Sequence, residues 1–332
     1  MLVTGAGGFL GAEMARIFAA SGAKQIILLD ICEQSLFEVS REMTSLGYGP
    51  RCVPVLGNVC NGNLVDSVFR EHRPGIVLHA AALKHVPLME QNPLAAVETN
   101  AIGTWLVAQA AEAFGTQKMI LVSTDKAVAP HSIMGAAKRI AELVMLAPSR
   151  MRKTALRLVN VVGSPGSVGP LFLEQIIHGG PVTVTHPEAS RYFLTLQEVA
   201  ALIAQAVSAD AAGGLLVPNP AERMLVVELA RRMIKASGQD VPIVFTETRP
   251  GEKLDESVLS AEENFAGSGS PGLQCVESSG STDLRKEIQA LEAAVANRDL
   301  SEVLRLVAEL VPDYEPSTLL RNRIQRLVSA QS

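Results

Sequence analysis

An acid and a base stand side by side at Asp125-Lys126, within the run Ser123-Thr124-Asp125-Lys126. Such a pair suits proton transfer, with the carboxyl giving and the amine taking. Neither group is poised at neutral pH when unperturbed, with pKa values of roughly 3.9 and 10.4. Burial would raise the first and lower the second, and the nearby Lys138 would lower Lys126 further. Met134 lies one helical turn before Lys138. A thioether neither gives nor takes a proton, so proton transfer in this stretch falls to other groups, with Thr124 able to position a hydroxyl or a water.

The elements that must hold these residues alternate along the first half of the chain. Short apolar runs at 26–30, 51–56, 75–79, 118–123 and 154–159 read as strands. Helical patterns at 9–20, 33–46, 61–72, 93–114 and 132–146 lie between them. Repeated βα units with continuous apolar strands imply an α/β fold of Rossmann-like, doubly wound type, its parallel sheet covered on both faces. After residue 159 the rhythm changes to a smaller lobe, interleaved with the first, with strand-like runs at 181–185 and 242–246 and helical ones at 196–209 and 226–237. The expected organisation is therefore 1–165 as the doubly wound part, with some of 193–217 returning to it, and 166–265 as the smaller lobe. A Gly/Ser-rich linker at 266–282 and a helical tail at 283–332 complete it. The first strand, residues 1–4, is short against the usual five or six, which suggests a chain that begins inside a longer ancestor.

Composition narrows the function. Hydrophobic residues make up 48% of 332 and charged ones 19%, as in an ordered globular protein. A net charge of −5 without a basic block gives no footprint for nucleic acid. No apolar run is long enough for a membrane segment and no signal peptide is visible. The four cysteines, Cys32, Cys52, Cys60 and Cys275, have no metal-ligand spacing, so no metal is expected; they read as free thiols in a reducing, cytoplasmic setting.

Thr4-Gly5-Ala6-Gly7-Gly8-Phe9-Leu10-Gly11 joins the first strand to the first helix. The glycines allow a tight turn and close approach of backbone to a pyrophosphate, for which the helix N-terminus offers N–H groups. Asp30 ends the second strand nineteen residues after Gly11. Its carboxylate can accept from both ribose hydroxyls and would repel a 2′-phosphate, so the expected cofactor is NAD. Asn58-Val59 ends the third strand, where an amide oxygen can contact adenine, and the small Ala80-Ala81-Ala82 ends the fourth.

The spacing of Gly5, Gly8 and Gly11, Asp30, His79-Ala-Ala-Ala, Ser123 and Met134/Lys138 resembles the extended short-chain dehydrogenase/reductase superfamily. Within it, five motifs in order are similar to nucleotide-sugar 4,6-dehydratases of the polysaccharide biosynthesis family, of the UDP-N-acetylglucosamine type. They are Ala82-Leu-Lys-His-Val-Pro-Leu-Met-Glu90, Ser123-Thr-Asp-Lys-Ala127, Asn160-Val-Val-Gly-Ser-Pro-Gly-Ser-Val168, Gly180-Pro-Val-Thr-Val-Thr185 and Arg249-Pro-Gly-Glu-Lys-Leu254. The resemblance covers about residues 1 to 260; Met134 stands where the superfamily places the tyrosine of its Tyr-x-x-x-Lys motif, and such proteins often carry methionine at that tyrosine position.

That resemblance implies a lyase with bound NAD. It oxidises C4 of a UDP-N-acetylhexosamine, eliminates water across C5 and C6, and returns hydride to C6, giving a UDP-4-keto-6-deoxy sugar for surface polysaccharide. It makes Lys126 the base at C5 and Asp125 the acid at the C6 oxygen, with Thr124, Met134 and Lys138 completing the catalytic set. Cofactor contacts would come from Gly5, Gly8, Phe9, Leu10, Gly11, Asp30, Asn58, Val59, Ala80, Ala81, Ala82, Asn100, Ser123 and Lys138. Lys84, His85, Asn160, Arg191, Arg249 and Glu252 would hold the nucleotide sugar, arginine suiting a diphosphate because its fork bonds two oxygens. Val159 stands where relatives show glycine before Asn160. Pairing of two copies through helices flanking 132–146 is a further implication, although cores use the same apolar stripes. Two other readings stand beside this one: an epimerase on the same scaffold, against which Met134 counts, and a non-catalytic protein that binds NAD or a nucleotide sugar.

Overall fold

The computed structural model describes residues 1–208, 213–219, 223–266, 272–277 and 283–331. The first half runs β1 (Leu2–Thr4), α1 (Phe9–Ala20), β2 (Ile26–Asp30), α2 (Glu33–Ser45), β3 (Cys52–Leu56), α3 (Gly62–His72) and β4 (Ile76–His79). It continues with α4 (Val86–Gln91), α5 (Pro93–Val97), a π-turn (Glu98–Ile102), α6 (Gly103–Ala113), β5 (Lys118–Thr124), α7 (Ile133–Leu146) and β6 (Arg152–Leu158). The second half runs β7 (Asn160–Val161), α8 (Val168–Ile177), β8 (Val182–Val184), β9 (Ser190–Leu194), α9 (Leu196–Ser208), β10 (Gly214–Pro218), β11 (Arg223–Leu225) and α10 (Val226–Ser237). It ends with β12 (Ile243–Phe245), β13 (Asn264–Phe265), β14 (Leu273–Glu277), α11 (Arg285–Ala296), α12 (Leu300–Leu310) and α13 (Thr318–Gln331).

Among the described residues, nine strands form the main sheet in the order β13-β14-β10-β6-β5-β4-β1-β2-β3. From β10 to β3 every pairing is parallel, and β14 and β13 add antiparallel at the edge. The strands are apolar because both faces are covered; all five residues of β2 are buried. One face packs α3, α6, α7 and the C-terminal α11 and α12, and the other packs α1, α2 and α9. A separate small core around Phe172, Ile176, Val184 and Val227 joins α8 and α10 to the paired strands β8 and β12. The strand order reverses at β1, between β2 and β4. That reversal opens a crevice at the C-terminal ends of the strands, where doubly wound sheets bind ligands.

Three sequence expectations change. The stretch 93–114 is not a uniform helix, since the π-turn interrupts it. Residues 273–277, expected in a linker, form β14 and pair with β10 through Leu215↔Val276 and Leu216↔Cys275. The Gly/Ser-rich flanks hid a strand whose Leu273 and Val276 are buried; 267–271 and 278–282 lie outside the described residues. Nor do the helices after 283 form a detached tail: Ile288, Leu291, Val303 and Val307, all fully buried, share one core with Met134 and Ile140.

Candidate active site

The glycine turn sits between β1 and α1, at the crevice. Gly5 has φ +67°, in the left-handed region open to glycine, and a side chain at Gly11 would meet the Gly5 carbonyl oxygen at 2.0 Å. α1 begins after Gly8 with no side chain capping it, so its first-turn N–H groups are left for an anion. Asp30, at the tip of β2, accepts from Gly7 N–H at 2.8 Å and Cys32 N–H at 2.9 Å, which fixes its carboxylate over the turn. Ile31 and Leu56 expose 66% and 54% of their surface at the tips of β2 and β3, an apolar flank the sequence did not single out. Asn58 uses its amide oxygen on Cys60 N–H at 2.9 Å, and buried Val59 packs in the core. Ala80, Ala81 and Ala82 follow β4 half-buried; Ala80 N–H donates to the Thr4 carbonyl, so the alanines lie against the glycine turn.

Two expected cofactor contacts take another role. Asn100 is fully buried in the π-turn, and its amide bonds both the N–H (2.8 Å) and the carbonyl (2.9 Å) of Leu83. The extra residue of the π-turn aims this side chain at the backbone that leads into Lys84-His85, so Asn100 shapes that loop. Ser123 is 3% exposed, and its hydroxyl donates to Glu142 Oε1 at 2.7 Å, away from the crevice.

The next residue on β5 turns the other way. Thr124 Oγ1 donates to Asp125 Oδ1 at 3.0 Å, and Lys126 Nζ donates to the same oxygen at 3.0 Å. Asp125 is fully buried and its Oδ2 accepts no hydrogen bond, whereas the Lys126 side chain keeps 24% of its surface. Lys126 Nζ also lies 3.5 Å from Asn160 Oδ1 and 3.8 Å from Glu256 Oε1. Burial depresses the Lys126 amine, but Asp125 and Glu256 outweigh it and hold the amine above its ordinary value. This reverses the expected lowering. The neighbours that decide it are two carboxylates rather than Lys138, whose Nζ donates to the Val122 carbonyl at 2.7 Å. Lys138 itself is lowered by burial to about 8. Met134 is 2% exposed within the core, a packed residue rather than a wall of the crevice.

A second charge cluster lies under the same strands. Arg157 is fully buried on β6. It grips Glu142 with Nε (3.0 Å) and Nη2 (2.7 Å), Glu263 with Nη1 (2.7 Å) and Nη2 (3.1 Å), and the Val258 carbonyl with Nη1 (2.7 Å). Arg139 Nη1 adds bonds to Glu142 and Glu263. Burial opposes ionisation of both carboxyls, yet the guanidinium of Arg157 keeps them below their ordinary values. His79 is sealed between Thr4 Oγ1 (2.7 Å) and Thr104 Oγ1 (3.1 Å), and burial drops it to about 3, so it is neutral and ties β4 to β1 and α6.

The nucleotide-sugar candidates divide. Asn160 Nδ2 donates to the Tyr192 carbonyl at 3.2 Å while its oxygen faces Lys126, so it belongs to the proton-transfer cluster. Lys84 and His85 are exposed, and His85 faces the Gly/Ser loop so closely that a side chain at Gly166 would meet its ring at 2.3 Å. Arg249 is exposed and pairs with Glu252 at 3.1 Å. Arg191 does not present an open fork. Its guanidinium donates to the carbonyls of Ser190, Lys253 and Leu254, each at 2.7 Å, bracing the chain after Arg249. Sequence reasoning missed Glu256, Glu142, Arg157 and Glu263. For Glu256 a signal existed: it stands three residues beyond Lys253, just past the Arg249–Leu254 motif.

Comparison with known proteins adds the family context. The profile of a family described as polysaccharide biosynthesis protein matches residues 1–276. The capsular polysaccharide biosynthesis protein CapD of Staphylococcus aureus is 44% identical over 272 residues, covering 79% of this chain and 45% of CapD. The chain thus spans less than half the length of that relative. A UDP-glucose 4-epimerase of Rickettsia rickettsii is 34% identical over 274 residues, 79% of this chain and 78% of the epimerase. Pen from Bacillus thuringiensis matches in structure with a TM-score of 0.72 and 28% identity, over 76% of this chain and 81% of Pen. The dTDP-glucose 4,6-dehydratase DesIV from Streptomyces venezuelae, solved with NAD and TYD bound, shares the fold at a TM-score of 0.68 and 23% identity, over 77% of this chain and 87% of DesIV. Among the described residues, no helix is long and apolar enough to cross a membrane.

Proposed function

The chain belongs to the polysaccharide biosynthesis protein family, and from that premise we propose that it is an NAD-dependent nucleotide-sugar 4,6-dehydratase. Its substrate in this reading is a UDP-N-acetylhexosamine, UDP-N-acetylglucosamine first, and its product the UDP-4-keto-6-deoxy sugar. The observation that carries the reading is the buried Asp125 carboxyl, 3.0 Å from the Lys126 amine and 3.0 Å from Thr124, beside a crevice whose tyrosine position is a packed methionine.

The crevice fits a dinucleotide. The uncapped start of α1 and Gly5 and Gly8 suit a pyrophosphate, Asp30 suits a ribose diol, and Ile31 with Leu56 suits the faces of adenine. When bound, NAD supplies hydride acceptance from C4 and hydride return to C6. Gly11 permits the turn rather than touching the ligand, and the N–H groups of Phe9 and Leu10 lie in the first turn of α1.

Lys126, its amine held above the ordinary value by Asp125 and Glu256, rests as an ammonium, the reverse of what a base at C5 needs. Moving one proton across its 3.0 Å contact with Asp125 gives a neutral amine and a carboxylic acid with no change in proton count. Substrate closing over the partly exposed lysine removes water and favours that neutral form. Lys126 then takes the C5 proton, made acidic by the C4 ketone, and Asp125 protonates the departing C6 hydroxyl. Thr124 positions the C4 hydroxyl and a water beside it that passes the hydroxyl proton to solvent, and the Lys126 ammonium returns a proton to C5 as hydride reaches C6. Lys138 is held back by the Val122 carbonyl. Lowered toward neutrality, it can release a proton at modest cost.

The 34% identity to a UDP-glucose 4-epimerase supports a second reading, inversion at C4 on the same scaffold. Incubation with UDP-N-acetylglucosamine and NAD separates the two. The dehydratase reading expects a product lighter by one water with no accumulation of NADH. An isomeric product of unchanged mass favours the epimerase, and tight binding of both ligands without conversion favours a binding protein.

A further inference from the structure

We propose that Glu256 is a positioning residue of the proton-transfer pair, one that holds the Lys126 side chain against Asp125 and sets how readily its amine gives up a proton. The proposal rests on the reading of Lys126 as the base and goes beyond it, to a residue outside the strand-tip motif.

The placement of Glu256 is unusual for a structural carboxylate. It is 4% exposed, yet its Oε2 accepts no hydrogen bond. Its oxygens stand 3.8 Å from Lys126 Nζ and 4.0 Å from Lys253 Nζ, ion-pair separations rather than hydrogen bonds. An unsatisfied buried carboxylate is costly. By contrast, the backbone around it is pinned. Arg223 Nη2 donates to its carbonyl at 3.1 Å, and the preceding Asp255 bridges to Ser190 and accepts from Ser190 Oγ at 2.5 Å. The chain is thus built to deliver a carboxylate to this point and leave it unsaturated.

The charged groups around Glu256 are Lys126 and Asp125 from the turn after β5, Arg191 from β9, and Lys253 on its own segment. Lys253 Nζ donates to the Val128 carbonyl at 2.5 Å, two residues past Lys126, and Asp313 lies within its electrostatic reach. The segment 253–256 is therefore fastened to the turn that carries Lys126. The Lys126 ammonium lies between two carboxylates, Asp125 at 3.0 Å and Glu256 at 3.8 Å. Asp125 must receive the proton in the working form, which leaves Glu256 as the fixed negative charge facing the amine. Burial holds the Glu256 carboxyl above its ordinary value and Lys126 offsets only part of that, as expected for a carboxylate whose ionisation depends on that lysine.

The test is the titration of Lys126 in the full chain. Competitive acetylation with acetic anhydride across pH, read by peptide mass spectrometry, gives its midpoint without any substrate, with exposed Lys24 as internal reference. Glu256→Gln keeps the shape and removes the charge; it should lower the Lys126 midpoint by about one unit or more and leave Lys24 unchanged. Glu256→Asp withdraws the carboxylate by one methylene. It should give a smaller shift of the same sign, and carries the test where Glu256→Gln fails to fold. In turnover, the acidic limb of the kcat/KM profile should move down with the midpoint. An unchanged Lys126 midpoint in both variants, with only a lower Tm, overturns the proposal. Absence of dehydration by the unmodified chain defeats the functional reading instead and leaves the titration as a valid test of Glu256.

Discussion

Ser123 and Thr124 are neighbours on one strand and lead into two opposite kinds of charge cluster. Ser123 joins Glu142, Arg157 and Glu263, where the sealed Arg157, with Arg139 beside it, meets two carboxylates through hydrogen bonds of 2.7 to 3.1 Å. Thr124 joins Asp125, Lys126 and Glu256, with Lys253 at 4.0 Å from Glu256, again two cations and two carboxylates. There only one ion pair is as short as 3.0 Å, two carboxylate oxygens accept nothing, and the lysine keeps a quarter of its surface. The inventory of charge is the same. The first cluster has spent its hydrogen-bonding capacity inward and fixes β5, α7 and β6 together. The second has capacity left over, which a ligand and a moving proton can use. Buried charge alone therefore does not mark an active site; unspent buried charge at the mouth of a crevice does.

Removing the central cation from each cluster should separate the two roles. Lys126→Ala should lower turnover by about 10²- to 10⁴-fold while leaving the Tm near that of the unmodified chain, checked by steady-state kinetics beside a thermal melt. Arg157→Met should do the reverse, costing about 3–5 kcal/mol of stability because the buried Glu142 and Glu263 would lose their main partner and keep only Arg139. Urea unfolding reads that loss, and a stable Arg157→Met protein would break the comparison.

His79 offers a milder, pH-dependent check on the sealed side. Its folded value of about 3 lies below its ordinary 6.5, so between those values the unfolded chain binds the extra proton and stability falls as pH drops. His79→Gln should flatten that decline, by about 1.4 kcal/mol for each pH unit below 6.5, measured as unfolding free energies at pH 7 and 5. Smallest of all, Ser123→Ala should cost about 1 kcal/mol and leave the pH profile of activity in place. Thr124→Val should instead lower turnover at nearly constant Tm.

What the sequence made legible follows the same division. The glycine turn, Asp30 and Thr124-Asp125-Lys126 could be read because their chemistry is local, each motif being continuous and attached to a strand end. Glu256 and Glu263 could not, because they lie about a hundred residues or more from Lys126 and Arg157 and meet them only once β6 and the segment after Arg249 are folded. The direction of the Lys126 shift was misjudged for that reason: the second carboxylate was missing from the reckoning. Arg191 had the right chemistry for a diphosphate, but three backbone carbonyls claim it. That Asn100 braces a loop could not be read either, since nothing in its local sequence announces a π-turn.

The central claim is that Asp125 and Lys126 eliminate water across C5 and C6 of a UDP-N-acetylhexosamine. The most direct measurement is an NMR assignment of the product formed from UDP-N-acetylglucosamine with NAD in deuterated water, for the unmodified chain and for Lys126→Ala. The account predicts a 4-keto-6-deoxy sugar with deuterium at C5 and hydrogen from C4 in the C6 methyl group, and no such product from the variant. A C4 epimer that keeps its C6 hydroxyl and its C5 hydrogen, or full C5 labelling by Lys126→Ala, contradicts it.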